Sequence, residues 1–237
     1  MRQEKDHRQL RRFYEQEYYA DRSVRPKPSL HQRRLAKRMI VAPETRLLDI
    51  ACGTGEWLIA AADEEAIVSG VDIAARAIAI AADHLPNASF SVSLAEQLPF
   101  ANSQFDLVSC LGALEHFPDK DAALSEMHRV LVEDGKALML VPNAGFLTRR
   151  VGLFKGTEQA AVREDVLSID AWQQLFERNG FRIGRRWSDL HVLSLDWLLK
   201  NGWLGMPLRF LQALALVVWP LSWQYQVYFL LHRVERR

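Results

Sequence analysis

The chain has 237 residues, 49% of them hydrophobic and 25% charged, the profile of a folded globular protein and not of a disordered one. Thirty Lys and Arg against 29 Asp and Glu leave a net charge of +1, which excludes both a polyanion mimic and a strongly basic nucleic-acid binder. The total hides a division: residues 1–42 hold 12 Lys/Arg against 5 Asp/Glu, a net +7, and the rest hold 18 against 24, a net −6.

The basic portion, residues 1–42, reads as a helical arm. RRFYEQEYYADR and SLHQRRLAKRMI have helical patterns and flank the linker-like Arg25-Pro26-Lys27-Pro28. The first residues carry no apolar core segment, so they do not read as a secretory signal. Cys52 and Cys110, both in apolar runs, are too few for a disulfide framework or a metal cage, which points to a reducing, cytoplasmic setting.

From residue 44 to 142 short apolar runs alternate with helical patterns, the signature of a parallel sheet covered by helices. Strands are predicted at 46–51, 69–74, 88–92, 105–111 and 136–142. Helices are predicted after the first two, and another from Pro118 to a C-cap at Gly135. Residues 143–167 are glycine-punctuated and long enough for an active-site loop. Ser168 and Gly180 bracket a helix, and the segments 181–187 and 225–235 are expected to pair as antiparallel edge strands. Between them, residues 189–224 form an apolar insertion before the last strand, and five of the seven tryptophans lie beyond residue 186.

The first strand runs through Asp49 into Cys52-Gly53-Thr54-Gly55-Glu56 ahead of a helix, which puts glycines where backbone must approach a ligand at the carboxyl edge of the sheet. A dinucleotide site would want a third glycine where Leu58 stands. A nucleoside without phosphates needs a carboxylate for its ribose hydroxyls, and Asp72 closes the second strand.

These residues resemble the class I S-adenosylmethionine (SAM)-dependent methyltransferase family. The likeness begins in LLDIACGTGEWL and continues through GVDIA, AEQLPF, FDLVSCLGALEHFPD and LSEMHRVLVEDGKALMLVPN, about 100 contiguous residues. It implies a Rossmann-like α/β fold whose seven-stranded, mostly parallel sheet has an antiparallel last strand and helices on both faces, formed by residues 43–237. It further implies SAM as cofactor, S-adenosylhomocysteine as product, and no metal. Gly53, Gly55 and the backbone at Ala51 would line the methionine portion, and Asp49 would orient the loop or reach the ammonium group through water. Asp72 would accept from the ribose hydroxyls, Ile73 would pack on adenine, and Leu111 would border the sulfonium. Leu94 departs from the family, which usually has an Asp there for the adenine amino group; Glu96 or a backbone carbonyl would take that part.

Methyl transfer is an in-line displacement that depends on positioning and needs a base only where the nucleophile must lose a proton. His116, just after the fourth strand, is the candidate base, with capping of the next helix as the alternative. His191 and Glu158 are weaker candidates. The family's metal-binding variant has a Glu where Gly112 stands, so Glu115 reads as structural. LGAL at 111–114 does not match the motif of nucleic-acid amino-methyltransferases, and no RNA-reading module is present. Tyr14, Tyr18 and Tyr19 either pack within a helix, the preferred reading, or cover the cofactor.

Residues 203–221 are apolar apart from Arg209 and Gln212 and are broken by Pro207 and Pro220, which disfavours a membrane span. A buried helix, a lid over a lipid-like acceptor, and an interfacial helix with Trp203, Trp219 and Trp223 at headgroup level all remain open. The expectation is SAM-dependent O-methylation of a small hydrophobic, lipid-linked or glycan acceptor in the cytoplasm, at the inner face of a membrane if the arm and residues 203–223 touch it. The competing reading is a catalytically silent methyltransferase-like scaffold that binds membrane or protein partners.

Overall fold

A computed structural model describes residues 2–19, 26–40, 42–150, 152, 164–190, 210, 214 and 216–234. Seven strands form one sheet: β1 (Arg46–Ile50), β2 (Ile67–Asp72), β3 (Ser89–Val92), β4 (Phe105–Leu111), β5 (Leu131–Pro142), β6 (Phe181–Ser188) and β7 (Gln226–Arg233). Their order is β3-β2-β1-β4-β5-β7-β6. The first five run parallel, and β7 lies antiparallel between β5 and β6. The segments 181–187 and 225–235 therefore do pair antiparallel, but only β6 is an edge. β7 is interior, with Val227, Phe229 and Leu231 buried on one face and Tyr228 on the other, and apolar side chains on both faces need cover on both.

The helices are α1 (Arg2–Phe13), α2 (Leu30–Met39), α3 (Glu56–Ala62), α4 (Ala75–His84), α5 (Lys120–Val130), the single turn α6 (Leu147–Arg150) and α7 (Ile169–Arg178). Side chains alternate along β1. Leu48 and Ile50 pack with α5 and α7 residues such as Leu124, Met127, Trp172 and Phe176. Leu47 faces the opposite way, toward Leu35, Ala36 and Met39 of α2 and Trp57 and Leu58 of α3. The basic arm thus contributes α2 to the same core, and its start is set by a reciprocal capping box between Ser29 and Gln32.

The boundaries around Gly135 differ most from the sequence expectation. The helix after Pro118 ends at Val130, not at Gly135, and β5 begins at once with Leu131 paired to Phe105. Gly135 instead sits in an irregular stretch of β5, where a Cβ would lie 2.8 Å from the Val132 carbonyl oxygen and 2.9 Å from Leu131 Cδ2. Ser168 caps α7 by accepting from the Ala171 N–H, and Gly180 (φ +84°) ends it as read.

Gly70 in β2 is held by packing alone, since an added Cβ would come within 2.7 Å of Cys52 Sγ, 2.8 Å of Phe90 Cε1 and 2.9 Å of Leu58 Cδ1. Gly70→Ala is expected to cost about 1–3 kcal/mol, read as a lower urea midpoint at unchanged slope.

Candidate functional site

The carboxyl ends of β1, β2 and β4 meet at one edge of the sheet, and the loops leaving them frame a cavity of about 830 Å³ counted to its mouth. Ala51, Asp72, Ile73, Leu94, Glu96, Leu111 and His116 all line it. These seven residues expected at the site therefore line one cavity, although they span 66 positions from Ala51 to His116.

The β1–α3 loop turns sharply, and three of its residues are left-handed: Ala51 (φ +58°), Gly53 (φ +56°) and Gly55 (φ +87°). Alanine pays for that conformation where glycine does not. Asp72 holds the loop. Its Oδ2 accepts from the Gly53 N–H at 2.9 Å and its Oδ1 from the Ala74 N–H at 2.9 Å. Burial raises the Asp72 carboxyl above the usual carboxylate range, while the amides at Ala74, Gly53 and Ile73 pull it back.

Gly53 lies under the Tyr19 side chain, whose hydroxyl is 2.9 Å from where a Cβ would stand. Gly55 has a different use: it is the N-cap of α3, and its missing Cβ makes room for Ala81 of α4 at 3.2 Å. Asp49 is not among the lining residues. It faces the α3 side of the sheet, where Trp57 Nε1 donates to Ser109 Oγ at 2.9 Å and Ser109 Oγ donates to Asp49 Oδ1 at 2.6 Å. Its carboxyl is pushed up to about 8, chiefly by burial. Asp49 thus fastens β1 to β4 and α3.

The arm completes the cavity. His7, Leu10, Tyr14, Tyr18 and Tyr19 line it, which corrects the preference for tyrosines that merely pack a helix. The cause is local: the chain leaves α1 in a π-helical turn (Tyr14–Tyr18), which widens the spacing so that Tyr14, Tyr18 and Tyr19 gather on one side. Glu15 accepts from the Ala75 N–H at 3.2 Å, and His7 Nε2 meets Glu96 Oε1 at 3.1 Å. Glu96, offered for the adenine amino group, is therefore also the arm's anchor and accepts from the Asp119 N–H at 3.4 Å.

His116 sits on the 3-10 turn Leu114–His116, buried at the cavity wall. Its neighbour Glu115, read as structural, is buried with one carboxylate oxygen, Oε2, lacking a hydrogen-bond partner. Burial first, then the charge of Glu164, pushes its carboxyl up to about 7. Burial first, and then charges that include these two carboxylates, raises the Tyr14 and Tyr225 hydroxyls. No sequence signal separates such a carboxyl from a solvated one; only burial does. The two ends of the 143–167 loop are tied nearby, Asp165 N–H to the Glu115 carbonyl and Ala144 N–H to the Leu167 carbonyl. His191, Glu158 and Trp203 lie outside the described residues. Among the described residues no group of three or more His, Cys, Asp or Glu could hold a metal ion.

A family profile described as a methyltransferase domain matches residues 47–135. The chain is 30% identical over 170 residues to the uncharacterized methyltransferase YcgJ of Bacillus subtilis, covering 67% of this chain and 66% of that one. It is 39% identical over 127 residues to the ubiquinone/menaquinone biosynthesis C-methyltransferase UbiE of Xanthomonas campestris, covering 47% and 50%. The matched segment thus spans about half to two thirds of these curated relatives. The YcgJ structure aligns with a TM-score of 0.59 at 22% identity over 88% of this chain and 100% of that one. The [4+2]-cyclase SpnF aligns at 0.60 and 20% identity over 86% and 82%. At those identities the superpositions speak to the fold alone.

The raised carboxyls have a consequence for stability. Between about pH 4.5 and pH 7 the folded chain keeps a proton on Glu115 that the unfolded chain releases, so stability falls as pH rises through that window, and Asp49 extends the fall to about pH 8. Calorimetry at pH 8 is expected to find Glu115→Gln more stable than the natural chain by up to about 3 kcal/mol, at about 1.4 kcal/mol per pKa unit. The difference should vanish near pH 4.

Proposed function

The chain belongs to the class I SAM-dependent methyltransferase family, and we propose that it transfers a methyl group from SAM to a small hydrophobic acceptor. The observation that carries this reading is Asp72: a buried carboxylate at the end of β2, lining the cavity, whose oxygens accept from the Gly53 and Ala74 amides and, with about four lone-pair sites in all, can also accept from a ligand hydroxyl. A nucleoside with a free ribose diol fits that donor–acceptor pattern. Ile73 and Leu94 supply apolar walls for a base, and a chain running toward Gly53 meets the Tyr19 hydroxyl. SAM, when bound, supplies a methyl group made electrophilic by its sulfonium.

The protein's own part is positioning and handling a proton. Leu111, Gly112 and Ala113 continue the wall from β4 toward His116, which is the side from which an acceptor would approach. We assign His116 as the group that takes the acceptor's proton, so that a hydroxyl oxygen becomes nucleophilic as the methyl arrives. O-methylation of a lipid-linked, glycan or other small acceptor is the leading reading. C-methylation of an aromatic ring has a specific support in the likeness to UbiE, and it would need the same proton removed from carbon. The apolar acceptor proposed here, together with the basic arm, supports a location at the cytoplasmic, inner face of a membrane.

A silent scaffold is the competing reading, and the likeness to a cyclase shows why fold does not decide between them. A thermal-shift assay does: SAM or S-adenosylhomocysteine at about 100 times its dissociation constant should stabilise the protein by about 2.7 kcal/mol. No shift with either would favour the scaffold.

Calorimetric titration with S-adenosylhomocysteine locates the site. Asp72→Ala is expected to weaken binding about 100-fold, from the loss of charge-assisted bonds, and Leu94→Ala less than about fivefold. Equal losses would refute the placement. Tyr19→Phe is expected to cost about fivefold, one neutral hydrogen bond.

A further inference from the structure

Three basic side chains stand abreast at the end of the sheet away from the cavity. Lys136 of β5 pairs with His232 of β7, and His232 with Arg182 of β6. Lys136 also pairs with Leu107 near the start of β4, whereas the cavity-lining Leu111 pairs with Leu140. Side chains paired across antiparallel strands share a face with about 5 Å between neighbours, so the row spans about 10 Å. The face is the one that turns Tyr228 and Leu230 toward α2, since His232 alternates with them along β7.

A bulge shapes the row. The register of β6 slips between Ile183 and Arg185, and at Gly184 an added Cβ would collide with Nε2 and Cδ2 of His232. The missing side chain is thus what lets the imidazole lie against β6. His232 is half-buried and titrates below the usual histidine range, through burial first and then the charges of Arg182 and Lys136. Among the described residues no carboxylate answers those charges. Lys136, Arg182 and His232 form no ion pair, and neither does Arg185, which follows opposite Leu230. Elsewhere exposed arginines are paired, Arg33 with Asp63, Arg46 with Asp106 and Arg178 with Asp121.

Charges on an edge strand often serve to block pairing with another sheet. That accounts for Arg182 and Arg185 but not for Lys136 and His232, whose strands are interior. Like charges across strands destabilise a sheet, so the row is a cost to the free protein that a bound anion removes. Two fixed cations abreast, with a third at Arg185, call for a multiply charged anion, because a single carboxylate leaves one of the pair unanswered. A phosphate monoester is close to a dianion at neutral pH, and its three oxygens suit a guanidinium fork, an ammonium and an imidazole N–H.

We propose that Lys136, Arg182 and His232 form a binding site for the phosphate group of a monoester, with Arg185 at its rim. The site is remote from the cavity and independent of the methyl-transfer reading.

The test follows the His232 ring of the full chain by NMR near neutral pH, its signal identified by loss in His232→Gln. Phenyl phosphate should move that signal saturably, with a dissociation constant at least about tenfold below that of benzoate, a monoanion on the same ring. Lys136→Gln combined with Arg182→Gln should weaken phenyl phosphate binding about tenfold or more and leave the unfolding temperature unchanged or higher. Arg182→Gln alone, at an exposed position, should weaken it about fivefold. A signal that does not move, equal constants for the two probes, or undiminished binding by both variants overturns the site. Flotation with vesicles of phosphatidylcholine and phosphatidic acid, lost in the double variant, assigns the ester to a lipid headgroup; phenyl phosphate binding without flotation assigns it to a soluble compound. A single-stranded oligonucleotide bound more tightly than phenyl phosphate, and released by the double variant, gives the row to a nucleic-acid backbone and overturns the monoester assignment.

Discussion

The site depends on one buried carboxylate. Asp72 ends β2 where the parallel sheet opens. By accepting from the amides of Gly53 and Ala74 it joins the loop after β1 to the start of α4. That bridge adds to the Cys52 N–H bond to the Val71 carbonyl and fixes the loop at Gly53, its middle left-handed residue. A buried carboxylate is costly unless hydrogen-bonded, so the same amides that lower its cost are themselves ordered by it. Asp49 does a parallel service one layer back, through Ser109 to Trp57.

The arm is the second determinant. Its α2 belongs to the sheet's core, and the turn after α1 brings three tyrosines over the cavity, pinned by Glu15 to α4 and by His7 to Glu96. Composition alone marks this segment as a solvated basic stretch. Its charges do face outward in large part, but its aromatic residues turn inward, and the cavity is as much their product as that of the glycine loop. A ligand entering the site must therefore come to terms with Tyr19 above Gly53.

Local pattern made much of this legible. Alternating apolar runs announced the parallel strands, Ser168 and Gly180 bracketed α7, and the end of each strand supplied Ala51, Asp72 and Leu111, because residues at strand ends of a doubly wound sheet must converge on one edge. What escaped was set by distant contacts. β7 looks like an edge strand because its neighbours are not in its own sequence. Gly135 looks like a helix cap, yet α5 ends at Val130 and β5 captures the chain at the next residue, Leu131. Glu115 reads as structural, but its burial comes from the turn that carries it being bonded to Asp165 of the 164–167 segment.

The sequence by itself determined the family, the order of elements and many of the residues at the carboxyl edge of the sheet, since these follow from short-range periodicity and motif spacing. Only the tertiary structure decided which glycine faces Tyr19 and which makes room for Ala81. Only it showed that Asp49 turns away from the cavity, that a buried carboxyl adjoins His116, and that Phe210, Leu214, Val217 and Val218 are exposed. The physical reason is the same in each case: burial and hydrogen-bond partnership are properties of what lies across space, and a one-dimensional pattern specifies a side chain's direction but not what meets it there.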